Sequence, residues 1–393
     1  MHFAFVSMPG HGHVNPTLPL VQELVRRGHR VSYATNEKFR DAVESAGATL
    51  LPMPGEMPNR PPNMDPAELA EMMDRFIATA REGVAFLEEH LTGDRPDALC
   101  FDAMTMAGRF VAERMGLPDI ALHPTYASNE QFSLRSELMA NASTPLPPEY
   151  RQIFQRMREV HERLAADLGV KSANPLEGPP ASLNIVFIPR EFQFAGDTFD
   201  ERFRFVGPSL GSRVVDPSWR RPDNAKPLLF ISLGTAFNNQ PEFFRNCLRA
   251  FGDGRWQVAM AVGEQVDPAD LGPIPDNFEI RDYFPQPAVL QEADLFLSHT
   301  GMNSTMESLC SGVPIVGVPQ QPEQEANARQ VEQLGMGRRL ASDGRSAEAL
   351  RQAVDEVHAD QQIRANVAEM SKTLRGTDGA VAAADAIEAH LAG

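Results

Sequence analysis

The sequence predicts an α/β protein with two domains, each built on a doubly wound parallel sheet. Three observations lead to this prediction. Short apolar segments alternate with amphipathic segments that end at glycine, a rhythm typical of parallel strands joined by crossover helices. The strand and glycine loop that open the second half, Ile231–Thr235, are similar to those of Val6–Gly10. A stretch rich in proline and glycine, Phe205–Pro227, separates the two series and marks a domain boundary.

The first domain is expected to open with an apolar strand, Phe3–Ser7, followed by a helix. Pro16 suits the first turn of that helix, because the amide at this position needs no partner. Apolar residues recur at helical spacing until Gly28, and glycine is the usual residue after a helix end. Arg30–Ala34 is then predicted to be the second strand.

Residues 52–66 interrupt this rhythm with six prolines and are predicted to form a long loop, either functional or disordered. A helix over about Asp65–His90 is expected next, followed by a short strand over Ala98–Phe101 that ends at Asp102. Residues 149–168 place apolar side chains at helical spacing, which predicts a long amphipathic helix.

The predicted domain organisation has four parts. Residues 1–208 form the first domain, residues 209–227 a linker, and residues 228–376 the second domain. Residues 377–393 are expected to form a final helix that packs back toward the first domain. In open α/β sheets, ligands bind outside the carboxyl ends of the strands, so two facing domains are expected to bind theirs in the cleft between them.

Composition excludes several classes of function. With 42% hydrophobic and 23% charged residues among 393, the chain has the balance of a soluble globular enzyme. A net charge of −17 disfavours nucleic acid and anionic lipid as partners, because both repel an acidic surface. No apolar run reaches the ~18 residues of a membrane-spanning helix, so no stable membrane anchoring is expected. The N-terminus has the pattern of a strand rather than of a signal peptide.

The three cysteines, Cys100, Cys247 and Cys310, are odd in number, far apart and without the spacing of metal ligands. They are therefore predicted to be small core residues in a reducing compartment. A cytoplasmic protein is expected.

The run His299–Glu307 concentrates polar groups between the apolar strand Leu295–Leu297 and a helix. Ser304 and Glu307 have the spacing of a capping box, which by itself only starts a helix. Gly301 adds something further, because a glycine lets backbone amides approach a phosphate closely at a helix N-terminus. We therefore expect this run to hold a nucleotide diphosphate.

Sequence motifs for other ligands are missing. The run contains neither the P-loop pattern nor GxGxxG, which leaves nicotinamide and flavin cofactors unsupported. No Asp-x-Asp pair occurs in the chain, so no metal ion is predicted. If the bound diphosphate is the leaving group of a reaction, its charge is instead expected to be stabilised by a helix dipole and hydrogen bonds.

A second group of candidate residues lies in the glycine-containing loop Met8–Pro16. His11 and His13 could be metal ligands, although no third ligand is nearby, or loop residues with local hydrogen bonds. One of them could also be a general base, because imidazole titrates near neutrality. A base needs a partner that fixes its tautomer, and Asp102 ends a strand of the same domain. Asp102 could equally cap a helix over residues 103–115.

Methionine and aromatic residues of the first domain are core residues by default, but flexible thioethers also suit a pocket for varied apolar ligands. Their concentration in the proline-rich loop and after Asp102 predicts a roomy site for a bulky hydrophobic alcohol. The candidates are Met53, Met57, Met64, Met72, Met73, Phe76, Met104 and Met106. His11 and His123 are further candidates for the wall of this site.

Three further segments join His299–Glu307 in a family resemblance. They are Asp282–Gln286, Gly312–Pro314 and Pro319–Asn327. In this order and spacing, over about 45 residues, the segments resemble the donor-binding signature of UDP-sugar-dependent glycosyltransferases of the GT-B fold. The resemblance covers nearly the whole chain and is nearest to bacterial macrolide and flavonoid glycosyltransferases, with matching segments at 12–16 and 205–209.

The resemblance implies which residues bind the nucleoside of the donor. Tyr283 would stack on uracil, in place of the commoner tryptophan, and Gln286 would lie beside the base. Glu307 would accept hydrogen bonds from the ribose hydroxyls. Phe284 belongs to the same predicted set.

The resemblance also implies how the diphosphate and the sugar are held. The predicted residues around the diphosphate are Gly234, Thr235, His299, Gly301, Asn303 and Ser304. Glu323 and Gln324 would meet the sugar hydroxyls, which suit carboxylate and amide groups.

The activity implied by the resemblance is that of an inverting transferase without a bound cofactor. It would move a sugar, expected to be glucose, from UDP-glucose to a hydroxyl of a hydrophobic small molecule such as a macrolide or a flavonoid. Of the two histidines, the resemblance selects His13 as the base, with Asp102 as its partner. Two alternatives are a UDP-sugar epimerase of the same fold and a non-catalytic protein that binds sugar nucleotides.

Overall fold

The computed structural model describes residues 1–54, 66–134, 136–137, 148–171, 179–211, 218–222, 226–235, 237–341 and 344–393. The chain divides into two compact units: Met1–Ser209 with Asp378–Gly393, and Leu210–Thr377. Most of the predicted proline-rich loop, including Met57 and Met64, lies outside the described residues.

A seven-stranded sheet forms the centre of the first unit. Its strands are β1 (His2–Val6), β2 (Arg30–Thr35), β3 (Thr49–Pro52), β4 (Ala98–Asp102), β5 (Asp119–His123), β6 (Leu183–Val186) and β7 (Phe203–Phe205). Their order is β3-β2-β1-β4-β5-β6-β7, and every neighbouring pair is parallel. Strands β1, β4 and β6 are buried along their whole length, as expected for strands covered on both faces.

The helices of the first unit connect these strands. They are α1 (His11–Val14), α2 (Leu18–Arg26), α3 (Arg40–Ser45), α4 (Pro66–Thr92), α5 (Met106–Met115) and α6 (Pro148–Leu168). Val21 and Leu24 of α2 are fully buried, and Leu18 and Val25 are partly buried against the same core, which confirms the apolar face that the helical spacing predicted.

The predicted helix start at Pro16 is wrong. The loop before it already forms the helical turn α1, and α2 begins only at Leu18, with Pro19 in its first turn. Pro19 is tolerated there for the reason that had been given for Pro16, since an amide in the first turn needs no helical partner.

The second unit repeats this plan with a six-stranded sheet. Its strands are β8 (Leu228–Ser232), β9 (Gln257–Ala261), β10 (Phe278–Arg281), β11 (Leu295–Ser298), β12 (Ile315–Gly317) and β13 (Gly337–Arg339). They are parallel throughout, in the order β10-β9-β8-β11-β12-β13. Its helices are α7 (Pro241–Phe251), α8 (Gln286–Leu290), α9 (Met302–Ser311), α10 (Pro322–Gln333), α11 (Ala347–Ala359) and α12 (Gln361–Arg375). Two doubly wound parallel sheets confirm the predicted fold class.

Each sheet has one point at which the strand order reverses. In the first sheet the chain runs outward from β1 to β3 and returns to β4 on the other side of β1. In the second sheet β8 and β11 have the same relation. Connections that leave two such strands diverge and open a crevice at their carboxyl ends, where ligands of this fold class bind. A ligand of the first unit is therefore expected beside the residues after β1 and β4. A ligand of the second unit is expected beside those after β8 and β11.

The last helix, α13 (Gly379–Ala392), belongs to the first unit and lies within residues 377–393, where a final helix was predicted. Asp378 caps its N-terminus by accepting hydrogen bonds from the amides of Ala380 and Val381. This cap fixes the start of the helix.

Apolar and charged contacts both hold α13 in place. Ala383, Ala384 and Ile387 are fully buried in the same core as the apolar face of α2. Arg27 and His29, at the end of α2, each lie 2.6 Å from a carboxylate oxygen of Glu388. The core of the first unit is thus completed by residues far along the chain.

Cys100 and Cys247 are fully buried, as predicted, whereas Cys310 is partly exposed. None of the helices in the described ranges has both the length and the apolarity needed to cross a membrane.

Candidate active site

The first unit holds one of its two loop histidines against a buried carboxylate. His13 lies in α1, after β1, and Asp102 is the last residue of β4, across the switch point. Nδ1 of His13 is 2.6 Å from Oδ2 of Asp102. Because a carboxylate only accepts hydrogen bonds, Nδ1 donates, and the lone pair that can take a further proton is on Nε2.

The two side chains of this pair differ in exposure, which is 20% for His13 and 2% for Asp102. The second oxygen of Asp102 accepts a hydrogen bond from the amide of Met104 at 2.8 Å. The carboxylate is therefore fixed from both sides while the imidazole remains accessible. Helix α5 begins at Met106 with Thr105 as its N-cap, so the alternative prediction that Asp102 caps a helix is wrong.

The other two histidines predicted near the acceptor have different surroundings. His11 is exposed, and its ring packs edge-on against Phe39 with 5.0 Å between centroids. Nε2 of His123, at the end of β5, lies 3.1 Å from Oδ1 of Asn184. Burial is the main cause that lowers the pKa of His123, so this ring is neutral at physiological pH. Neither ring has a carboxylate as a hydrogen-bond partner among the contacts described.

Of the predicted acceptor-site methionines, Met53 and Met104 are partly exposed. Met106 is 2% exposed and packs in the core with Phe101 and Phe110, so it is a core residue rather than an accessible wall of a pocket. The side chains of Phe76, Met72 and Met73 lie outside the described residues.

In the second unit the ring of His299, which follows β11, lies in a slot between two glycines. A Cβ built on Gly234, after β8, would approach Nε2 of His299 to 2.6 Å. A Cβ on Gly301 would approach the same atom to 2.5 Å. Real Cβ atoms do not come so close, so only glycine fits on either side of the ring. Thr235, the next residue of the β8 loop, is exposed.

The environment of His299 keeps its imidazole uncharged. Burial lowers the pKa of His299 to about 4, with a backbone contact to Ser232 acting weakly in the other direction. Its Nδ1 is buried and has no hydrogen-bond partner within the part of the chain that the structure describes. A neutral imidazole can give or accept one hydrogen bond, so His299 would meet a phosphate as a dipole and not as a cation.

The helix after His299 begins earlier than the sequence predicts. Gly301 is the N-cap of α9 and has an extended conformation, so Ser304 is the third helical residue. The predicted capping box, with Ser304 as the N-cap, is therefore wrong. The amides of Met302, Asn303 and Ser304 form the first turn, where backbone N–H groups have no partner within the helix and suit an anion.

Gln286 joins two of the predicted donor residues. Its Nε2 donates to Oγ of Ser304 at 3.0 Å and to Oε2 of Glu307 at 2.7 Å. Glu307 is 4% exposed and forms part of the wall of a cavity of about 390 Å³ within the second unit. The Gln286 amide therefore fixes the Glu307 carboxylate, a contact that the prediction of a residue beside the base did not include.

Tyr283 and Phe284 are neighbours in sequence but not in environment. Tyr283 is 69% exposed, as a ring that stacks on a ligand requires. Phe284 is 1% exposed and packs against Phe230 in the core. Its ring cannot contact a base, so the prediction of Phe284 as a donor-binding side chain is corrected to a core residue.

Glu323 and Gln324 lie in the first turn of α10, after β12. Both are partly exposed, and Oε1 of Gln324 accepts a hydrogen bond from the amide of Gln320 at 2.8 Å. The backbone carbonyl of Gln324 lies 2.8 Å from Oγ1 of Thr300, in the His299 loop. Thr300 is not among the predicted site residues, although it lies between two residues that were predicted to bind phosphate.

In the described ranges, no group of three or more His, Cys, Asp and Glu side chains is placed to hold a metal ion. What the second unit does offer is a turn of backbone amides, a neutral imidazole and a carboxylate with amide neighbours. This set suits an anionic, hydroxyl-rich ligand such as a sugar nucleotide.

Comparison with known proteins identifies a family. Residues 248–378 match a family model described as Erythromycin biosynthesis protein CIII-like, C-terminal domain. The NDP-glycosyltransferase YjiC of Bacillus licheniformis is 42% identical over 405 aligned positions, which cover 100% of this chain and 98% of that protein. Demethyllactenocin mycarosyltransferase of Streptomyces fradiae is 34% identical, over 99% of this chain and 86% of that relative.

Solved structures agree with the relatives. The calicheamicin glycosyltransferase CalG4 superposes with a TM-score of 0.86 and 35% identity, over 100% of this chain and 98% of its own. Fold and site thus define a glycosyltransferase with the GT-B architecture, as the sequence resemblance implied. The chain belongs to the NDP-glycosyltransferase family, whose members use nucleotide-linked sugars as donors.

Proposed function

We propose that this enzyme transfers glucose from UDP-glucose to a hydroxyl of a hydrophobic small molecule, such as a macrolide or a flavonoid, with inversion at the anomeric carbon. The observation that carries the proposal is the pair formed by His13 and Asp102, with 2.6 Å between Nδ1 and Oδ2. It supplies a base with a fixed tautomer, as a hydroxyl acceptor requires.

In the proposed reaction, Nε2 of His13 takes the proton of the acceptor hydroxyl. The hydroxyl oxygen attacks the anomeric carbon as the bond from that carbon to the phosphate oxygen breaks. The electron pair of the broken bond leaves with UDP, and an α-linked donor yields a β-glycoside. Asp102 stabilises the imidazolium that forms, without taking its proton.

Charge develops on the diphosphate as the bond breaks, and the second unit has groups suited to it. The amides of Met302, Asn303 and Ser304 begin α9 and carry the positive end of the helix dipole. The neutral His299 can donate one further hydrogen bond. Glu307 would accept from the ribose, Tyr283 would stack on uracil, and the first turn of α10 would meet the sugar.

The proposed acceptor class has support from relatives. One is named oleandomycin glycosyltransferase, from Streptomyces antibioticus, and is 34% identical over 99% of this chain. The relative from Streptomyces fradiae is named for demethyllactenocin. Both names concern the acceptors of those proteins, and they favour a bulky hydroxyl compound for this one.

The test is a matrix of donors and acceptors. UDP-glucose, UDP-galactose and dTDP-glucose are each incubated with phenols, flavonoids and macrolides, and products are read by mass spectrometry as a gain of one hexose. We expect transfer from UDP-glucose, and the anomeric proton coupling of the product should show a β-linkage. Transfer from dTDP-glucose alone would overturn the choice of UDP, and an α-product would overturn inversion.

A control without acceptor separates the transferase from an epimerase. UDP-glucose incubated with the enzyme alone should be recovered unchanged apart from slow hydrolysis. A new UDP-sugar in this control would overturn the proposal.

A further inference from the structure

Thr300 has a backbone conformation that its side chain disfavours. Its φ is +60°, and Ala195 is the only other non-glycine residue with a positive φ in the described ranges. A β-branched residue is a clear outlier in this region, and such a conformation persists only where the surrounding structure enforces it. The surroundings of Thr300 must therefore hold it in place.

Three hydrogen bonds do so. The amide of Thr300 donates to Oγ of Ser298 at 3.0 Å. Oγ1 of Thr300 lies 2.8 Å from the carbonyl oxygen of Gln324 and 2.6 Å from that of His299, so its single proton is shared between an acceptor in α10 and one in its own loop. The carbonyl of Thr300 accepts from Nδ2 of Asn327 at 2.9 Å. Two of these partners belong to α10, so the strained residue is tied to another element and not only to its own loop.

Packing fixes the same residue. Thr300 and Asn327 are both 0% exposed. The methyl carbon of Thr300 lies over Gly317, the last residue of β12, where an added Cβ would approach it to 2.9 Å. The same Cβ would lie 3.1 Å from Cβ of Ala328 in α10, so the methyl fills a space that only a glycine leaves open.

The position of Thr300 gives these contacts a consequence. It follows His299 and precedes Gly301, the N-cap of α9, so its φ sets the direction of both the imidazole and the first amides of the helix. Its side chain and carbonyl reach Gln324 and Asn327 in α10, where the sugar is proposed to bind.

We infer that Thr300 and Asn327 are positioning residues. They hold the proposed diphosphate site, formed by His299 and the first turn of α9, at a fixed distance from the proposed sugar site in the first turn of α10. The inference rests on the donor site of the proposed function. Without the two ties, the loop could relax to a negative φ, and the phosphate and sugar halves of the site would no longer be held in register. Misalignment of reacting atoms by about 1 Å can cost about 10²-fold in rate.

Four variants separate positioning from simple stability. Thr300→Val keeps the shape and removes the hydroxyl, and Asn327→Ala removes the other tie. Thr300→Gly accepts a positive φ without strain but also lacks the hydroxyl. Thr300→Ser keeps the hydroxyl and should rescue function. Thr305→Val, in α9, is the matched control, because Thr305 is equally buried and its hydroxyl has no partner among the described residues.

The measurements are kcat and KM with the donor that the wild type uses, the dissociation constants of UDP and of the intact UDP-sugar by calorimetry, and the unfolding temperature. For Thr300→Val, Thr300→Gly and Asn327→Ala we expect kcat to fall by about 10- to 100-fold. The affinity for the UDP-sugar relative to UDP should fall as well. Thr300→Gly should lose kcat without losing stability, which a purely structural role cannot explain.

Two results would overturn the inference in different ways. If the wild type turns over a UDP-sugar and the three variants lose stability but keep its kcat and its ratio of affinities, the positioning role is wrong and the proposed function stands. If the wild type neither binds nor transfers any UDP-sugar, the proposed function fails and this inference fails with it.

Discussion

His13 and His299 both follow strands beside the switch point of their own sheet, but only His13 has a carboxylate against its ring. Asp102 ends β4, and His299 follows β11, the strand that takes the place of β4 in the second sheet. Gly234 in turn follows β8, the counterpart of β1, where the first unit has the His13 loop. The second unit thus has its histidine in the loop after the counterpart of β4, whereas the first unit has its histidine in the loop after β1 and an aspartate at the end of β4.

The chemistry of each ring follows from its neighbours. Asp102 fixes the tautomer of His13 and leaves Nε2 to take a proton, so His13 suits proton transfer. Burial without a carboxylate lowers the pKa of His299, so this ring stays neutral and suits hydrogen bonding to an anion. Loops beside the switch point of one fold can therefore carry a base in one unit and a neutral hydrogen-bonding ring in the other.

The largest expected effect tests the role of the first histidine. His13→Ala should lower the rate of transfer by ~10²-fold or more, following the size of general-base effects, while UDP binds as before. Initial rates and calorimetry with UDP measure the two quantities. His90→Ala, at an exposed position on α4, is the control and should leave both unchanged. If His13→Ala kept the wild-type rate of transfer, His13 would not be the general base.

The next effect tests the slot around the second histidine. In Gly301→Ala, the new Cβ would lie 2.5 Å from Nε2 of His299, and the φ of −61° adds no backbone strain. Overpacking of this kind costs roughly 1–3 kcal/mol, so donor affinity should fall by about 10- to 100-fold. Gly93→Ala, which would meet open space, is the matched control. Unchanged affinity for UDP in Gly301→Ala would show that the slot does not matter for the donor.

A smaller effect concerns the charge state of His299. Its folded pKa of about 4 lies below the ordinary 6.5, so between these values only the unfolded chain takes up a proton. The contribution of the neutral His299 to the free energy of unfolding is therefore fully present above pH 6.5 and decreases as the pH falls toward 4. From pH 7 to pH 5, the wild type should lose about 1–2 kcal/mol more than His299→Asn. Equal slopes for the two proteins in urea unfolding would contradict a neutral His299.

The smallest effect concerns the exposed ring of Tyr283. Tyr283→Ala should weaken UDP binding by about fivefold to tenfold, because stacking on a base contributes roughly 1–3 kcal/mol and this ring is largely in water. Tyr283→Phe should bind like the wild type, and Tyr283→Trp more tightly. An order of affinity that does not follow ring size would rule out stacking.

The sequence was sufficient for the architecture and for part of the site. Strand–helix alternation predicted both sheets, and α13 lies within the residues predicted for a final helix. A loop histidine was expected near Asp102 because Asp102 ends a strand of the same domain, and parallel strands bring their carboxyl ends to one edge. The choice of His13 over His11 came from the family resemblance and not from the local pattern.

Other features depended on contacts that no local pattern reveals. Ser304 and Glu307 have the spacing of a capping box, but the N-cap of the helix is Gly301. The two side chains instead accept hydrogen bonds from Gln286. Met106 fitted a pocket by residue type but belongs to the core. Nothing in a threonine predicts a left-handed φ, which at Thr300 depends on bonds from β11 and α10.

The place of α13 in the first unit has a consequence for synthesis. A ribosome completes the sheet of the first unit and all of residues 210–377 before it makes Ala383, Ala384 and Ile387. At about 5–20 residues per second, the apolar face of α2 stays uncovered for some tens of seconds, on the order of 20–70 s, before α13 is made. The second unit can therefore finish folding first, while the nascent first unit presents an apolar surface to chaperones.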